Sequence, residues 1–313
     1  MSPLHKAVRD YLELRRNLGF KLLEPGRYLP RFVEFLEQRG STHITTALAL
    51  EWAQLPTSVQ PVEWARRLGT VRCFARHRQA SDPRTEVPPH GLLPHRSTRA
   101  RPYLYSDDEV ERLLAAALKL PTNRRRTVLY PWKFHCLIGL LSTTGMRMSE
   151  ALNLRLSDVD LDQALLTIRG AKFGQVRLLP LHATTKDVLA DYLRRRTAYF
   201  GSAASQHVFV TSRGNQLDQA NVHRTFYKLS RSVGIRGEHA SVGPRLHDFR
   251  HRFAVKVLLA WYQSGQDSAR LLPVLQTYLG HVRLEDTYWY LNAWPELMAH
   301  AMSRLEQRWE AAS

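Results

Sequence analysis

Arginine, histidine and tyrosine side chains in the second half of the chain stand where they could act together on a phosphate. Arg147 follows Gly145, where one helix is expected to end, and precedes Ser149, where another is expected to begin. A guanidinium beside the free N–H groups of a helix N-terminus can hold a phosphate. His247 and Arg250 are three residues apart, so on a helix they share a face and can approach one anion. Each of these residues, taken singly, also fits an ordinary structural role.

Two further groups nearer the C-terminus could serve the same chemistry. His281 follows Gly280, a residue type that ends helices, and a single histidine in such a place often has only a structural role. Tyr288 and Tyr290 lie in an aromatic-rich helix, where core packing is the simpler explanation. Because residues two apart are separated by about 200° around a helix axis, these tyrosines cannot both face one phosphate.

The hydrophobic pattern predicts a mainly α fold with one small antiparallel β-sheet. Four apolar stripes of helical spacing occupy the first eighty residues, and a capping sequence at Ser106 predicts a helix to about Leu120. An apolar helix is expected from about Leu129 to Thr144, and two strands at 165–169 and 176–181 flank a turn. Further helices are predicted at roughly 183–199, 218–233, 246–263, 270–279, 284–291 and 295–310.

Two domains joined by a linker are expected from the interruption of this pattern. Between Ala80 and Tyr105 five prolines break any regular element, and several arginines and histidines make the stretch basic. We therefore predict a helical domain at 1–82, a basic proline-rich linker at 83–105 and a second domain at 106–313.

The chain is strongly basic, with 45 Lys and Arg against 28 Asp and Glu and a formal net charge of +17. Such a chain repels itself unless a polyanion meets it, and nucleic acid is the commonest such partner. Its two cysteines supply neither a disulfide framework nor a four-ligand zinc site, which fits a reducing cytoplasm. No signal-peptide pattern leads the sequence, and its most apolar stretch, residues 134–141, is too short to span a membrane.

The order of the candidate residues resembles the tyrosine recombinase (phage integrase) family, and the resemblance extends over nearly the whole chain. The family's first-arginine motif, Thr-Gly-x-Arg-x-Ser-Glu, is complete here, with Arg147 as its arginine and Glu150 as its acid. The family's β-hairpin lysine falls on Lys172, counted back from the Arg-x-x-Pro-Leu strand at 177–181. Ala171 precedes this lysine where many relatives have glycine.

The remaining motifs of the family follow in the same order. His247 and Arg250 match its His-x-x-Arg box, and His281 ends its Leu-Gly-His box. Tyr290 follows His281 by nine residues, the usual spacing to the family's nucleophile, whereas Tyr288 follows at seven and is the less favoured alternative. Five motifs in the correct order leave little room for chance.

This resemblance implies a site-specific DNA recombinase that cleaves and rejoins DNA through a 3′-phosphotyrosyl intermediate. Tyr290 would attack the scissile phosphorus, and Arg147 and Arg250 would hold the non-bridging oxygens. Lys172 would give a proton to the departing 5′-oxygen. Exchange of one phosphoester for another would require neither ATP nor a metal ion.

The same resemblance assigns the other site residues. His247 would take the tyrosine proton or bond a phosphate oxygen, and His281 would bond another; the division of labour between these histidines stays open. Glu150 would orient Arg147. No cofactor, metal ion or small-molecule substrate is implied.

The resemblance implies an architecture of two domains that close around the duplex as a clamp. The first is an N-terminal core-binding (SAM-like) DNA-binding domain, and the second is a catalytic domain of the DNA breaking-rejoining fold. Two protomers would bind inverted half-sites of double-stranded DNA as a homodimer, and two dimers would form a homotetramer in the synapse. The C-terminal helix at about 295–310 would dock on a neighbouring protomer, with packing on its own domain as the alternative.

Two other functions share part of this pattern. A DNA-binding accessory protein could keep the fold without strand exchange, and it would form no covalent adduct with DNA. A type IB topoisomerase-like enzyme would use the same chemistry alone to relax DNA, without concentration-dependent synapsis. The biological role also stays open among phage integration, transposition, cassette capture and chromosome-dimer resolution.

Overall fold

The computed structural model describes residues 2–94, 102–122, 127–169, 176–283 and 285–293. The chain divides into two compact units, Met1–Ala100 and Arg101–Ser313. None of the described helices has the length and apolar content needed to cross a lipid bilayer.

Four helices build the first unit, as the apolar stripes predicted. They are α1 (Pro3–Asn17), α2 (Pro25–Gln38), α3 (Thr46–Gln54) and α4 (Pro61–Gln79). The hydroxyls of Ser2 and Thr45 cap α1 and α3, and a proline in the first turn starts three of the four helices. Their apolar faces meet in one core around Leu29, Phe32 and Phe74, each of which is fully buried.

Much of the described part of the predicted linker packs on this first unit. Arg72 of α4 donates to the carbonyls of Pro88 and Pro89, at 2.7 and 2.8 Å. The backbone N–H of Glu86 donates to the carbonyl of Ile44 at 2.8 Å, and Leu93 is buried against the helices. The prolines rule out helix or sheet here but allow an extended segment, whose backbone carbonyls accept hydrogen bonds from the side chain of Arg72.

The second unit consists mainly of helices with a three-stranded antiparallel sheet, whose strands lie in the order β1 (Val159–Asp160), β2 (Leu165–Ile168) and β3 (Arg177–Pro180). Leu166 of β2 faces Leu179 of β3 and Val159 of β1. The sequence pattern predicted β2 and β3 but not β1, because two residues are too few to show an alternation.

The elements of the second unit are, in chain order, α5 (Asp107–Leu118), α6 (Tyr130–Thr144), α7 (Met148–Asn153), a 3-10 turn (Leu156–Asp158), β1 (Val159–Asp160), β2 (Leu165–Ile168), β3 (Arg177–Pro180), α8 (Ala183–Phe200), α9 (Gln219–Ser232), α10 (Asp248–Gln263), α11 (Ser268–Leu279) and α12 (Glu285–Ala293).

Helix α6 lies at the centre of the second unit because it is apolar on nearly every side. Its residues Phe134, Leu137 and Leu141 belong to a large core that also takes in the sheet and helices α5, α8 and α9. A second, smaller cluster joins α10, α11 and α12, and it includes Leu258 and Tyr290. Helix α10 is therefore the element that connects the central core with the helix carrying the tyrosine.

Candidate active site

The end of α6 brings Arg147 towards α10. Gly145 closes α6 in the left-handed conformation, with φ of 61°, which glycine adopts without strain. A Cβ at Gly145 would lie 2.6 Å from Cδ1 of Phe253, so α10 passes directly over the turn. The carbonyl of Gly145 accepts a hydrogen bond from Nη1 of Arg250 at 3.0 Å. Two arginines that are about a hundred residues apart in sequence are thereby attached to one turn.

Glu150 organises the first of these arginines. Its Oε1 accepts from Nη1 of Arg147 at 2.9 Å, and its Oε2 accepts from the Arg147 backbone N–H at 2.8 Å. Arg177 donates to both oxygens of the same carboxylate, at 3.0 and 2.7 Å. Burial works to raise the pKa of Glu150, but hydrogen bonds and charge from Arg177 and then Arg147 outweigh it and lower the pKa to about 2. Glu150 is therefore a carboxylate at any physiological pH.

Arg250 is held in the interior of the site. It is 2% exposed, and its Nη2 donates to the carbonyl of Leu279 at 2.5 Å. Arg147 donates through Nη2 to the next carbonyl, that of Gly280, at 3.0 Å. Burial and then the positive charge of Arg147 lower the pKa of Arg250 to about 10, so the guanidinium stays charged at neutral pH. Two cations side by side at one helix end form a place that suits an anion.

His247 lies immediately before α10, beside both arginines. Its side chain is exposed at the surface although protein atoms crowd its inner side. This desolvation, and then the charge of Arg250, lower the pKa of His247 to about 4. The imidazole is neutral at physiological pH, so one ring nitrogen can accept a proton or a hydrogen bond.

The tyrosine that the spacing favoured lies inside the protein. Tyr290 is 1% exposed, whereas Tyr288 on another face of α12 is 43% exposed. The hydroxyl of Tyr290 lies 3.1 Å from Nδ1 of His251. His281 stacks on the Tyr290 ring with a centroid distance of 6.2 Å, and its Nδ1 lies 2.8 Å from Oγ1 of Thr287.

The structure thus brings Arg147, Glu150, Arg250, His281 and Tyr290 together, with His247 at the edge of the group. That His247 takes the tyrosine proton or bonds a phosphate oxygen stays a prediction. A hydrogen-bond partner of the Tyr290 hydroxyl is His251, which lies one helical turn further along the chain than His247, and the two imidazole rings lie 4.8 Å apart. Lys172 and the predicted helix at about 295–310 lie outside the described residues.

His251 and Arg177 are the two site residues that the sequence reasoning missed. His251 directly follows Arg250, and its spacing of four from His247 was the available signal, since residues four apart share a helix face. Arg177 served only to count back to Lys172. It is the arginine of the Arg-x-x-Pro-Leu strand, but the local sequence did not indicate its role, because its partners lie 27 and 101 residues away along the chain.

Within the described ranges, no group of three or more His, Cys, Asp or Glu side chains is arranged to hold a metal ion. Arginine charges converge in the site: Arg147 and Arg177 share Glu150 as an acceptor, and Arg250 lies close to Arg147. Such an arrangement can bind a phosphodiester and stabilise negative charge that develops on it.

Comparison with known proteins agrees with this geometry. The phage integrase family profile matches residues 104–296. A Sinorhizobium fredii protein, y4rB, named as an integrase/recombinase, is 57% identical over 311 residues, 99% of each chain. Tyrosine recombinase XerD of Caulobacter vibrioides is 32% identical over 246 residues, 77% of this chain and 74% of XerD.

Solved structures show the same fold at lower sequence similarity. The Tn1549 transposon integrase in complex with transposon right end DNA matches with a TM-score of 0.65 and 17% identity, over 96% of this chain and 99% of that one. The helical fold with its small antiparallel sheet is therefore the two-domain architecture of tyrosine recombinases. The chain belongs to the phage integrase family, a family of site-specific DNA recombinases.

Proposed function

We propose that this protein cleaves and rejoins DNA through a covalent 3′-phosphotyrosyl link to Tyr290. The phenol oxygen attacks the scissile phosphorus, the bond to the 5′-oxygen breaks, and a free 5′-hydroxyl leaves. Attack by a 5′-hydroxyl on the phosphotyrosine reverses the step and restores a DNA strand. One phosphoester replaces another in each direction, so the reaction proceeds without ATP.

The observation that carries this proposal is the meeting of two arginines and a tyrosine at one helix end. Arg147 and Arg250 donate to the adjacent carbonyls of Gly280 and Leu279, and Tyr290 packs in the cluster to which Leu279 belongs. The two guanidiniums stabilise the negative charge that develops on the oxygens of the pentacoordinate phosphorus. Fixed cations can do this without a metal ion.

Proton transfers complete the proposed reaction. A free phenol has a pKa of about 10, so the Tyr290 oxygen needs a proton acceptor at neutral pH. His251 already contacts this hydroxyl, and the neutral His247 lies beside His251, immediately before α10. His281 positions the phenol ring or bonds a phosphate oxygen, and Lys172 supplies the proton for the 5′-oxygen.

Because Tyr290 is 1% exposed, attack on a duplex requires α12 to shift so that the hydroxyl becomes accessible to the scissile phosphate. We take the substrate to be double-stranded DNA with inverted half-sites, bound by a homodimer and exchanged within a homotetramer. The Tn1549 integrase, whose structure contains transposon end DNA, supports DNA as the partner. The net charge of +17 suits the same polyanion, and a cytoplasmic, nucleoid-associated location follows from this substrate.

Substitution of the two tyrosines tests the proposal. A DNA site is first selected from a random duplex pool by the wild-type protein. It is then nicked near the cleavage point, so that the released fragment diffuses away and the covalent adduct accumulates. Tyr290→Phe should bind this DNA normally and form no adduct on a denaturing gel, because only one oxygen has been removed.

Tyr288→Phe is the matched control, since it removes the same atom from a ring that is 43% exposed on another face of α12. It should form the adduct at the wild-type rate. An adduct from the Tyr290 variant would move the nucleophile elsewhere. No adduct from the wild-type protein would favour a DNA-binding accessory function, and relaxation without synapsis would favour a topoisomerase-like one.

A further inference from the structure

Three consecutive carbonyls at the end of α11 each accept a hydrogen bond from a different arginine. Arg177 donates through Nε to Tyr278 at 2.9 Å, Arg250 donates to Leu279, and Arg147 donates to Gly280. The last carbonyls of a helix lack partners within the helix and carry the negative end of its dipole, so cations are favourable there. Two of the three arginines are the proposed phosphate ligands, and Arg177 is the third.

Arg177 also holds the carboxylate that orients Arg147. Its Nη1 and Nη2 donate to Oε1 and Oε2 of Glu150 at 3.0 and 2.7 Å, a forked contact that fixes the plane of the carboxylate. Glu150 presents the same two oxygens to Arg147. One guanidinium therefore joins strand β3, helix α7 and the end of α11.

The fit around Arg177 leaves its side chain little freedom. The side chain is 9% exposed, and its partner Glu150 is 6% exposed. Gly280 lies against the guanidinium, because a Cβ at Gly280 would be 3.0 Å from Nη1 of Arg177 and 3.3 Å from its Cζ. Gly280 also has φ of 65°, a left-handed conformation in which a side chain would be strained. Glycine at this position therefore lets the backbone after α11 lie directly against the Arg177 guanidinium.

We propose that Arg177 is a positioning residue for DNA cleavage, which sets Arg147 and the end of α11 in the geometry that holds the scissile phosphate. This inference rests on the proposed function. The Nε, Nη1 and Nη2 groups of Arg177 all donate to protein acceptors, so Arg177 acts through Glu150 and the Tyr278 carbonyl.

Two substitutions test the proposal on the nicked duplex described above. Arg177→Met removes all three contacts, and Arg177→Lys keeps the charge but cannot bond Glu150 in a fork and Tyr278 together. Each should reduce the adduct-forming rate on the order of 100-fold, since a small misplacement of catalytic groups has effects of this size. DNA affinity should stay within about twofold, because it is spread over many phosphate contacts, of which the scissile phosphate is one.

Arg169→Met is the matched control. Arg169 follows the neighbouring strand β2 and donates to Asp158 at 2.7 Å, a buried carboxylate outside the site. This variant should form the adduct at the wild-type rate. If Arg169→Met loses the same activity as Arg177→Met, the loss is a general effect of disturbing the sheet, and the proposal is wrong.

A pH profile separates positioning from simple destabilisation. Arg177 is the largest influence that lowers the pKa of Glu150, so in Arg177→Met that pKa rises and Glu150 becomes protonated at higher pH. Adduct formation by Arg177→Met, relative to the wild-type rate at the same pH, should therefore fall further as the pH is lowered. In a Glu150→Gln background, Arg177→Met should reduce the rate less than it does in the wild-type background, because the forked contact with Glu150 is already weakened and mainly the contact with Tyr278 is left to lose.

The outcomes are distinct from those of the proposed function. A wild-type protein that forms no adduct ends both proposals. A wild-type adduct together with unchanged rates in the Arg177 variants overturns this inference alone. If Arg177→Met does not fold, the adduct-forming rate of Arg177→Lys tests the proposal instead. Effects of Arg177→Lys and Glu150→Gln on that rate that are fully additive in the double variant would also count against the proposal.

Discussion

The two proposed phosphate ligands each bond the protein with part of the guanidinium. Arg250 uses Nη1 for Gly145 and Nη2 for Leu279, and Arg147 uses Nη1 for Glu150 and Nη2 for Gly280. A planar guanidinium has five N–H donors, so it can bond protein and phosphate at the same time. A lysine ammonium has three donors at one point and cannot span these positions.

Arg147→Lys and Arg250→Lys are therefore each expected to raise the activation free energy of cleavage by about 2.7–4 kcal/mol, as for loss of one transition-state donor. Adduct formation should become hundreds of times slower while DNA binding, followed by fluorescence anisotropy, changes little. Arg169→Lys, at an arginine outside the site, is the control. Near-normal cleavage by both site variants would contradict the assignment of the two arginines.

The contact between His251 and Tyr290 predicts an energetic coupling between these residues. Their hydrogen bond is buried and 3.1 Å long, and such a bond contributes about 0.5–1.5 kcal/mol to stability. His251→Phe, Tyr290→Phe and the double variant form a cycle in which urea unfolding should give a coupling energy of this size. Additive effects would mean that the hydrogen bond contributes nothing to the folded state.

Single residues were predictable where the motif is local in sequence. Arg147 and Glu150 are three apart, and so are His247 and Arg250, so their spacing alone brings them together once the helices form. The partner of the tyrosine was not predictable in this way. Several histidines were available, and only the packing of α12 on α10 selects His251.

At the scale of elements, the turn after α6 joins the central core to α10. Gly145 satisfies two demands there, since it has φ of 61° and leaves no room for a side chain against Phe253. Gly234, after α9, has φ of 77° but nothing within 4 Å of where its Cβ would lie. Alanine substitutions at Gly145 and Gly234 therefore separate the effect of backbone conformation on stability from the effect of close packing.

Gly234→Ala should lower the free energy of unfolding by about 1–2 kcal/mol, the strain of an L-residue in the left-handed conformation. Gly145→Ala should lower it by about 2–5 kcal/mol, because overpacking against Phe253 adds to that strain. Urea unfolding monitored by circular dichroism measures both. Equal losses in the two variants would show that α10 moves away from the turn without resistance.

Elements were largely predictable because most of them carry strong helical periodicity and clear ends. The predicted helix from about Leu129 to Thr144 is α6, and Gly145 ends it as expected. The pattern could not reveal β1, whose two residues are paired only because β2 lies beside them. Pairing of this kind is a tertiary effect and leaves no trace in local sequence.

At the scale of the whole molecule, the positive charge should dominate binding to DNA. Each phosphate neutralised by a lysine or arginine releases a counterion, so affinity falls as salt concentration rises. For six to ten phosphate contacts, affinity should fall by about 10³- to 10⁵-fold between 50 and 200 mM salt. Anisotropy titrations with the selected duplex and a scrambled duplex measure this, and a flat salt response would contradict it.

Division into two units was predictable, but the extent of the linker was not. Prolines between Ala80 and Tyr105 showed where regular structure stops. They could not show that Glu86 and Leu93 pack on the first unit, or that Tyr105 packs in the core of the second. These contacts depend on backbone hydrogen bonds and buried surfaces contributed by distant parts of the chain.

The burial of Tyr290 has a consequence for how an enzyme of this kind treats the rest of a genome. A phenol with 1% of its surface exposed cannot reach a phosphodiester during a brief collision with unrelated DNA. Under the proposed reaction, only complexes that outlive the movement of α12 can be cut. Sequence discrimination then acts through residence time as well as affinity, and accidental breaks at wrong sites become rarer than binding alone would allow.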